Sequence, residues 1–184
     1  MKLIYGLGNP GKEYTFTRHN VGYMVLDLLG MSYGIQMRMR SEGMVFGKGI
    51  IQGIDVVLAK PTTYMNLSGD PLRSIDLDPS DLIVVHDDMD IPLGEVRVKK
   101  GGGTGGHKGV KSIMDSIGTD EFVRVRCGIG RPEEAMDTVD YVLSPFSKDQ
   151  MVILRKELDR ASDAVEACIV HGTEYAMNAF NRRV

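Results

Sequence analysis

The chain carries four histidines in 184 residues, and three of them stand in short segments rich in groups that move protons. Thr17-Arg18-His19-Asn20 is the first. Imidazole titrates near neutrality, so a histidine here suits a general base; it also suits a surface histidine at the start of a helix. His86-Asp87-Asp88-Met89-Asp90 follows the apolar run Leu82–Val85. Such a group could ligate a metal, could supply one carboxylate to orient a distant histidine, or could be a solvated acidic turn. The small number of further histidines weighs against a metal hydrolase. Lys60-Pro61-Thr62-Thr63-Tyr64-Met65-Asn66-Leu67-Ser68-Gly69 offers Tyr64, Met65 and Asn66 to line a pocket, or is merely a loop and helix cap. Ser68 lacks the glycine-flanked elbow that exposes a serine nucleophile. Cys127 and Cys168 lie far apart, match no metal pattern, and read as reduced, buried thiols.

Two glycine-rich segments raise the question of phosphate. Gly6-Leu7-Gly8-Asn9-Pro10-Gly11 matches the dinucleotide fingerprint in letters. That fingerprint needs a helix opening at the glycines, whereas Asn-Pro-Gly makes a turn. The segment therefore reads as a strand ending in a rigid turn that holds Asn9 at its tip. In Gly101-Gly102-Gly103-Thr104-Gly105-Gly106-His107 the glycines are costly to order, so the loop is either mobile or built for close approach of a ligand. Arg97, Lys99, Lys100, His107, Lys108 and Lys111 flank it, no acid occurs from 97 to 110, and Arg124 and Arg126 add to the same charge. A basic stretch on a chain of net charge −3 points to a phosphate-bearing partner, unless it is simply a solvated face.

The intervening residues form the frame. Lys2–Gly8, Val45–Ile51, Ile54–Ala59, Leu82–Val85, Glu95–Lys99 and Phe122–Ile129 read as strands, with Gln52-Gly53 as a hairpin turn. In the last of these Val123, Val125, Cys127 and Ile129 share one face and Arg124 and Arg126 the other. Val21–Leu29 has helical spacing with Asn20 as its cap, and a helix is expected after Gly69. Ser147-Lys148-Asp149-Gln150 is a capping box opening a long helix with an apolar stripe from Met151 to Cys168; Gly172 ends it, and Thr173–Asn181 forms a short last helix. Interleaved strands and helices predict an α/β fold, a single-domain three-layer sandwich over residues 1–184. Its twisted sheet is mixed and largely parallel, flanked by helices, with sites at strand carboxyl ends.

Composition agrees: 42% hydrophobic and 26% charged residues exclude a disordered chain and a coiled coil. The twelve methionines read as core filling. No apolar run suits a membrane span or a secretory leader, so the expectation is a cytoplasmic protein; the lack of an obvious dimer helix predicts a monomer.

Taken in order, GLGNPGKEY (6–14), TRHNVG (17–22), KPTTYMNLSG (60–69), HDDMDIPLG (86–94), KGGGTGGHKGVKS (100–112) and RVRCGIGRP (124–132) resemble bacterial peptidyl-tRNA hydrolase over nearly the whole chain. The resemblance implies cleavage of the ester between a peptide and the 3′-terminal ribose of tRNA, with no metal, cofactor or covalent intermediate. It implies His19 as the base, Asp87 orienting it, and Asn9 distinguishing blocked from free aminoacyl ends. Tyr14, Tyr64 and Asn66 would contact the 3′ end and peptide, Met65 would line the cleft, and His107 would sit at its rim. Lys99, Lys100, Lys108, Lys111 and Arg126 would meet tRNA. Lys108 stands where the family commonly has Asn and exchanges an amide contact for a phosphate contact. The helix expected between Asn66 and Leu82 is about one turn shorter than usual, interrupted by Asp76-Leu77-Asp78-Pro79. Relatives that bind RNA without hydrolysing it are the alternative; the presence of Asn9, His19, Asn66 and Asp87 speaks against that here. A metal-dependent esterase and a nucleotide-binding module are the remaining readings.

Overall fold

The computed structural model describes residues 1–182; the last two residues of the expected domain lie outside that range. Seven strands form one sheet: β1 (Lys2–Gly6), β2 (Met39–Ser41), β3 (Met44–Ile51), β4 (Ile54–Pro61), β5 (Leu82–Asp88), β6 (Val96–Lys100) and β7 (Val123–Gly128). Their order is β2-β3-β4-β1-β5-β7-β6. The four central strands β4, β1, β5 and β7 run parallel, and antiparallel partners close both edges. β5 is buried along nearly its whole length, which explains its unbroken apolar run: a central parallel strand is covered on both faces.

One face is covered by α1 (Val21–Tyr33), α4 (Lys148–His171) and α5 (Thr173–Phe180). Their apolar stripes meet Ile4, Val56, Leu58, Ile83, Val85, Val123, Val125 and Cys127. The other face carries α2 (Lys108–Ile117) and two short 3₁₀ turns, Met65–Leu67 and Asp70–Ser74, packed on Leu3, Tyr5, Ala59, Leu82 and Val84. α3 (Thr138–Val142) is a single short helix leading to α4. The three-layer arrangement thus matches the sequence reading. The chain leaves β1 over one face to reach β4 and leaves β4 over the other to reach β5. The carboxyl ends of β1, β4 and β5 therefore open on a crevice, the usual place for a site in such sheets.

Local signals explain the elements that formed as read. Gln52 and Gly53 both have positive φ (48° and 79°), the turn that matches strand twist in a two-residue hairpin. The capping box at Ser147 is complete: Gln150 N–H donates to Ser147 Oγ and Ser147 N–H to Gln150 Oε1. Three readings are corrected. The segment after Gly69 is the 3₁₀ turn Asp70–Ser74 rather than an α-helix: Pro71 suits its first turn, but the chain is already extended at Ile75 and Pro79 bars a continuation. Asn20 does not cap α1 with its side chain; it reaches Asn9 instead. His86, Asp87 and Asp88 continue β5 rather than forming a turn after it.

α4 also places a carboxylate in the core. Glu157 is 1% exposed; its Oε1 accepts from Gly94 N–H at 2.8 Å and its Oε2 has no partner. Burial pushes its carboxyl up to about 8, only partly offset by the Gly94 hydrogen bond. An unfolded chain releases that proton near pH 4.3. Between the two values the folded state holds a proton that the unfolded state has lost, so stability falls as pH rises through that window. Glu157→Gln is expected to flatten the decline. Urea midpoints at pH 5, 7 and 9 check it, and equal slopes for both proteins would contradict it.

Candidate active site

The base of the site depends on one close approach. The residues Arg18–Asn20 form a 3₁₀ turn that runs directly into α1. At Gly22, a Cβ would lie 2.3 Å from the Val85 carbonyl oxygen and 2.5 Å from Leu7 N. Only glycine lets the start of α1 sit against the ends of β1 and β5, and that contact carries His19 onto Asp87.

Asp87 is 2% exposed and is shared by two imidazoles. Its Oδ2 accepts from His19 Nδ1 and its Oδ1 from His107 Nε2, each at 2.8 Å. Burial pushes the Asp87 carboxyl up, but His19 and His107 outweigh it and hold the group well below the usual carboxylate range. An ionised carboxylate only accepts, so both facing ring nitrogens carry hydrogen. For neutral His19 this leaves the lone pair on Nε2. For His107 it leaves the lone pair on Nδ1, and Gly109 N–H and Val110 N–H donate to that atom at 3.1 and 3.3 Å. His107 is thus the N-cap of α2 as well as the partner of Asp87. His107 is half-buried and lines the cleft while bonding to the buried Asp87, a contact the sequence reading did not include. The signal missed was a histidine filling the place of a Ser or Asp cap.

The same hydrogen bonds compete with a metal for these atoms. The ligand atoms of His19, Asp87 and His107 lie within 4.8 Å of one another. A metal would need the Nε2 lone pair of His107, hence a proton on Nδ1, which already faces two helix N–H donors. The donor set is committed to hydrogen bonds and does not fit a cation. His86 donates from Nδ1 to the Asp87 carbonyl at 2.7 Å and packs against His107; burial, then His107, lowers it well below the ordinary histidine range. The fourth histidine, His171, ends α4 beside Tyr175, outside the site.

Asn9 is held from three sides. Its backbone N–H donates to Asn20 Oδ1 (2.8 Å), its carbonyl accepts from Asn20 Nδ2 (3.0 Å), and its side-chain Oδ1 accepts from Met65 N–H (2.8 Å). The amide orientation is therefore fixed, with Nδ2 left as a donor. Asn9, His19 and Asp87 share an open cleft of about 300 Å³ with Tyr64, Met65, Asn66 and Met89. Thr104–Lys108 makes one bank of it; Thr138, Val139, Val142 and Leu143 make the other.

The remaining site residues of the sequence reading lie outside the cleft lining. Tyr14 sits on the 3₁₀ turn Lys12–Tyr14. Lys99 and Lys100 end β6, with Lys99 lying under Gly102 where a Cβ would meet its Nζ at 2.5 Å. Lys111 pairs with Asp115 at 2.7 Å, and Arg126 with Asp88 at 2.9 Å. Arg124, expected to add to a basic surface, is instead buried; its Nη2 donates to the Gly101 carbonyl at 3.0 Å and so supports the glycine loop from below. Burial, then Arg126, lowers its affinity for its proton. Both cysteines are free and buried, and burial pushes Cys168 up to about 12.

An α/β sheet presenting an imidazole backed by a carboxylate beside a fixed amide donor is an arrangement suited to a hydrolase. The sequence model of the family described as peptidyl-tRNA hydrolase matches residues 3–184, and the chain belongs to that family. It is 45% identical over 188 residues to the protein of that name from Koribacter versatilis, covering 100% of this chain and 94% of the relative. The Bacillus subtilis protein of the same name is 44% identical, with full coverage of both. The structure of the peptidyl-tRNA hydrolase of Acinetobacter baumannii superposes with a TM-score of 0.91 at 35% identity, covering 98% of this chain and 94% of that one.

Proposed function

We propose that this chain hydrolyses the ester between a peptide and the 3′-terminal ribose of tRNA, recycling tRNA from prematurely released peptidyl-tRNA. The observation that carries the mechanism is Asp87 accepting from both His19 and His107, which leaves the His19 Nε2 lone pair as the imidazole base free to face the cleft. Water gives its proton to that nitrogen as it attacks the ester carbonyl; the oxyanion takes hydrogen bonds from the Asn9 or Asn66 amide; the collapsing intermediate returns the proton to the ribose oxygen. No covalent intermediate, metal or cofactor takes part. A neutral acylated amine suits a cleft with fixed amide donors and acceptors, whereas a free ammonium would have to shed its hydration there. His107 positions Asp87. Tyr14, Tyr64, Met65 and Asn66 contact the acyl and 3′ end, and Lys99, Lys100, Lys108, Lys111 and Arg126 meet tRNA phosphates.

The protein acts as a cytoplasmic monomer in this reading. No described helix is long and apolar enough to cross a membrane. The test is release of the acyl group from N-acetyl-aminoacyl-tRNA and from the unblocked ester, with EDTA present. Cleavage of the blocked ester alone supports the proposal. Salt-sensitive tRNA binding without cleavage would instead favour an RNA-binding relative.

A further inference from the structure

Arg18 precedes the base in sequence, yet its side chain is buried and does not line the cleft. Nη1 donates to the Ser144 and Pro145 carbonyls (3.2 and 2.9 Å) and to Ser144 Oγ (2.6 Å), and Nη2 donates to Gln150 Oε1 (2.9 Å). The guanidinium lies 4.3 Å from the centre of the Tyr141 ring and 5.2 Å from that of Phe146. The backbone joins the same partners: Arg18 N–H donates to the Ser144 carbonyl at 3.1 Å, and Thr17 bridges Pro145. No carboxylate pairs with Arg18 among the described residues. A buried cation without an anion is an expensive way to stabilise a fold; an apolar side chain of similar volume does so with less desolvation. The identity of its partners explains it better. They lie on or directly after α3, which with its C-cap Leu143 supplies Val139 and Val142, the apolar bank of the cleft. Tyr141, under the guanidinium, donates to the Ile129 carbonyl at 2.5 Å and ties α3 to the end of β7.

We propose that Arg18 is a positioning residue that fixes the distance between His19 and this apolar bank and thereby decides which acyl side chains the cleft holds. The proposal rests on the hydrolase reading above. A bulky apolar side chain on the esterified amino acid packs against Val139, Val142 and Leu143 while its carbonyl meets the base; glycine has nothing to place there. Lysine cannot replace the planar fork or the ring stacking.

The experiment compares N-acetyl-leucyl-tRNA with N-acetyl-glycyl-tRNA for wild type, Arg18→Lys and Ser144→Ala. Arg18→Lys is expected to raise KM for the leucyl ester about tenfold and for the glycyl ester less than about twofold, with kcat changing little. Ser144→Ala shifts the ratio in the same direction by less, and it decides the matter if Arg18→Lys does not fold. Equal losses on the two esters, or no loss on either, overturn the proposal. A wild type that cleaves neither ester is a different result and brings down the hydrolase reading itself.

Discussion

His19→Ala is expected to lower kcat for N-acetyl-aminoacyl-tRNA by about 10³–10⁴-fold, the upper end of what a positioned general base supplies. The upper end follows from the absence of a substitute among the described residues. Both Asp87 oxygens accept from imidazoles, the His107 lone pair accepts from the start of α2, His86 is buried, and the Asp88 oxygens that line the cleft are held by Arg126 and Asp90 N–H. Removing the ring leaves water with no acceptor of the right affinity beside the ester. KM is expected to stay within about threefold, because the groups read as substrate contacts are untouched. Single-turnover acyl release measures both quantities. A variant retaining a tenth of wild-type activity would remove His19 from the mechanism.

Asp87→Asn is expected to lose about as much, for a reason specific to the shared carboxylate. An asparagine at this position offers one carbonyl oxygen and one NH₂ group to two imidazoles that both donate. His107 cannot turn its proton to Nδ1, because two helix N–H groups already point there. The asparagine oxygen therefore goes to His107 and its NH₂ to His19, whose Nδ1 becomes the acceptor. That places the His19 proton on Nε2, the nitrogen that should take a proton from water. The loss is about 10³–10⁴-fold in kcat from a wrong tautomer with little change in position. Ring-nitrogen chemical shifts at neutral pH check the assignment directly: His19 should be protonated on Nδ1 in the wild type and on Nε2 in the variant. The combination with His19→Ala should be no worse than either change alone, since both disable one unit. An unchanged His19 tautomer would refute the account even if activity fell.

What was readable beforehand was what neighbours in sequence decide. The hairpin at Gln52-Gly53, the capping box at Ser147 and the alternation of β7 all depend on residues within a turn or a strand, and all formed as read. The partnership of His19 with Asp87 came from the order of six motifs, since their 68-residue separation hides it from any local rule. The failures are tertiary. Alternation placed Arg124 correctly on the face opposite Val123 and Val125, but nothing in β7 shows that the glycine loop closes over that face. Asn20 has the residue type and position of a cap, and Asn9, eleven residues away, competes for it and wins. The bond of His107 to Asp87 and the part played by Arg18 are hidden for a related reason. Each acts through groups from distant parts of the chain, Asp87 in one case and residues 141–150 in the other.

The polarity of β4 has a practical use. The strand begins beside the exposed turn at Gln52-Gly53 and ends at Pro61, close to the Tyr64 and Met65 of the cleft. Eight residues of extended chain separate the two ends by roughly 25 Å. A dye or surface tether attached at position 53 would therefore sit at the end of the strand away from the cleft. Gly53 has nothing within 4 Å of a built Cβ, though its φ of +79° favours asparagine-flanked or glycine-retaining insertions over a bare cysteine. The molecule can thus be anchored by its inert end and watched one turnover at a time.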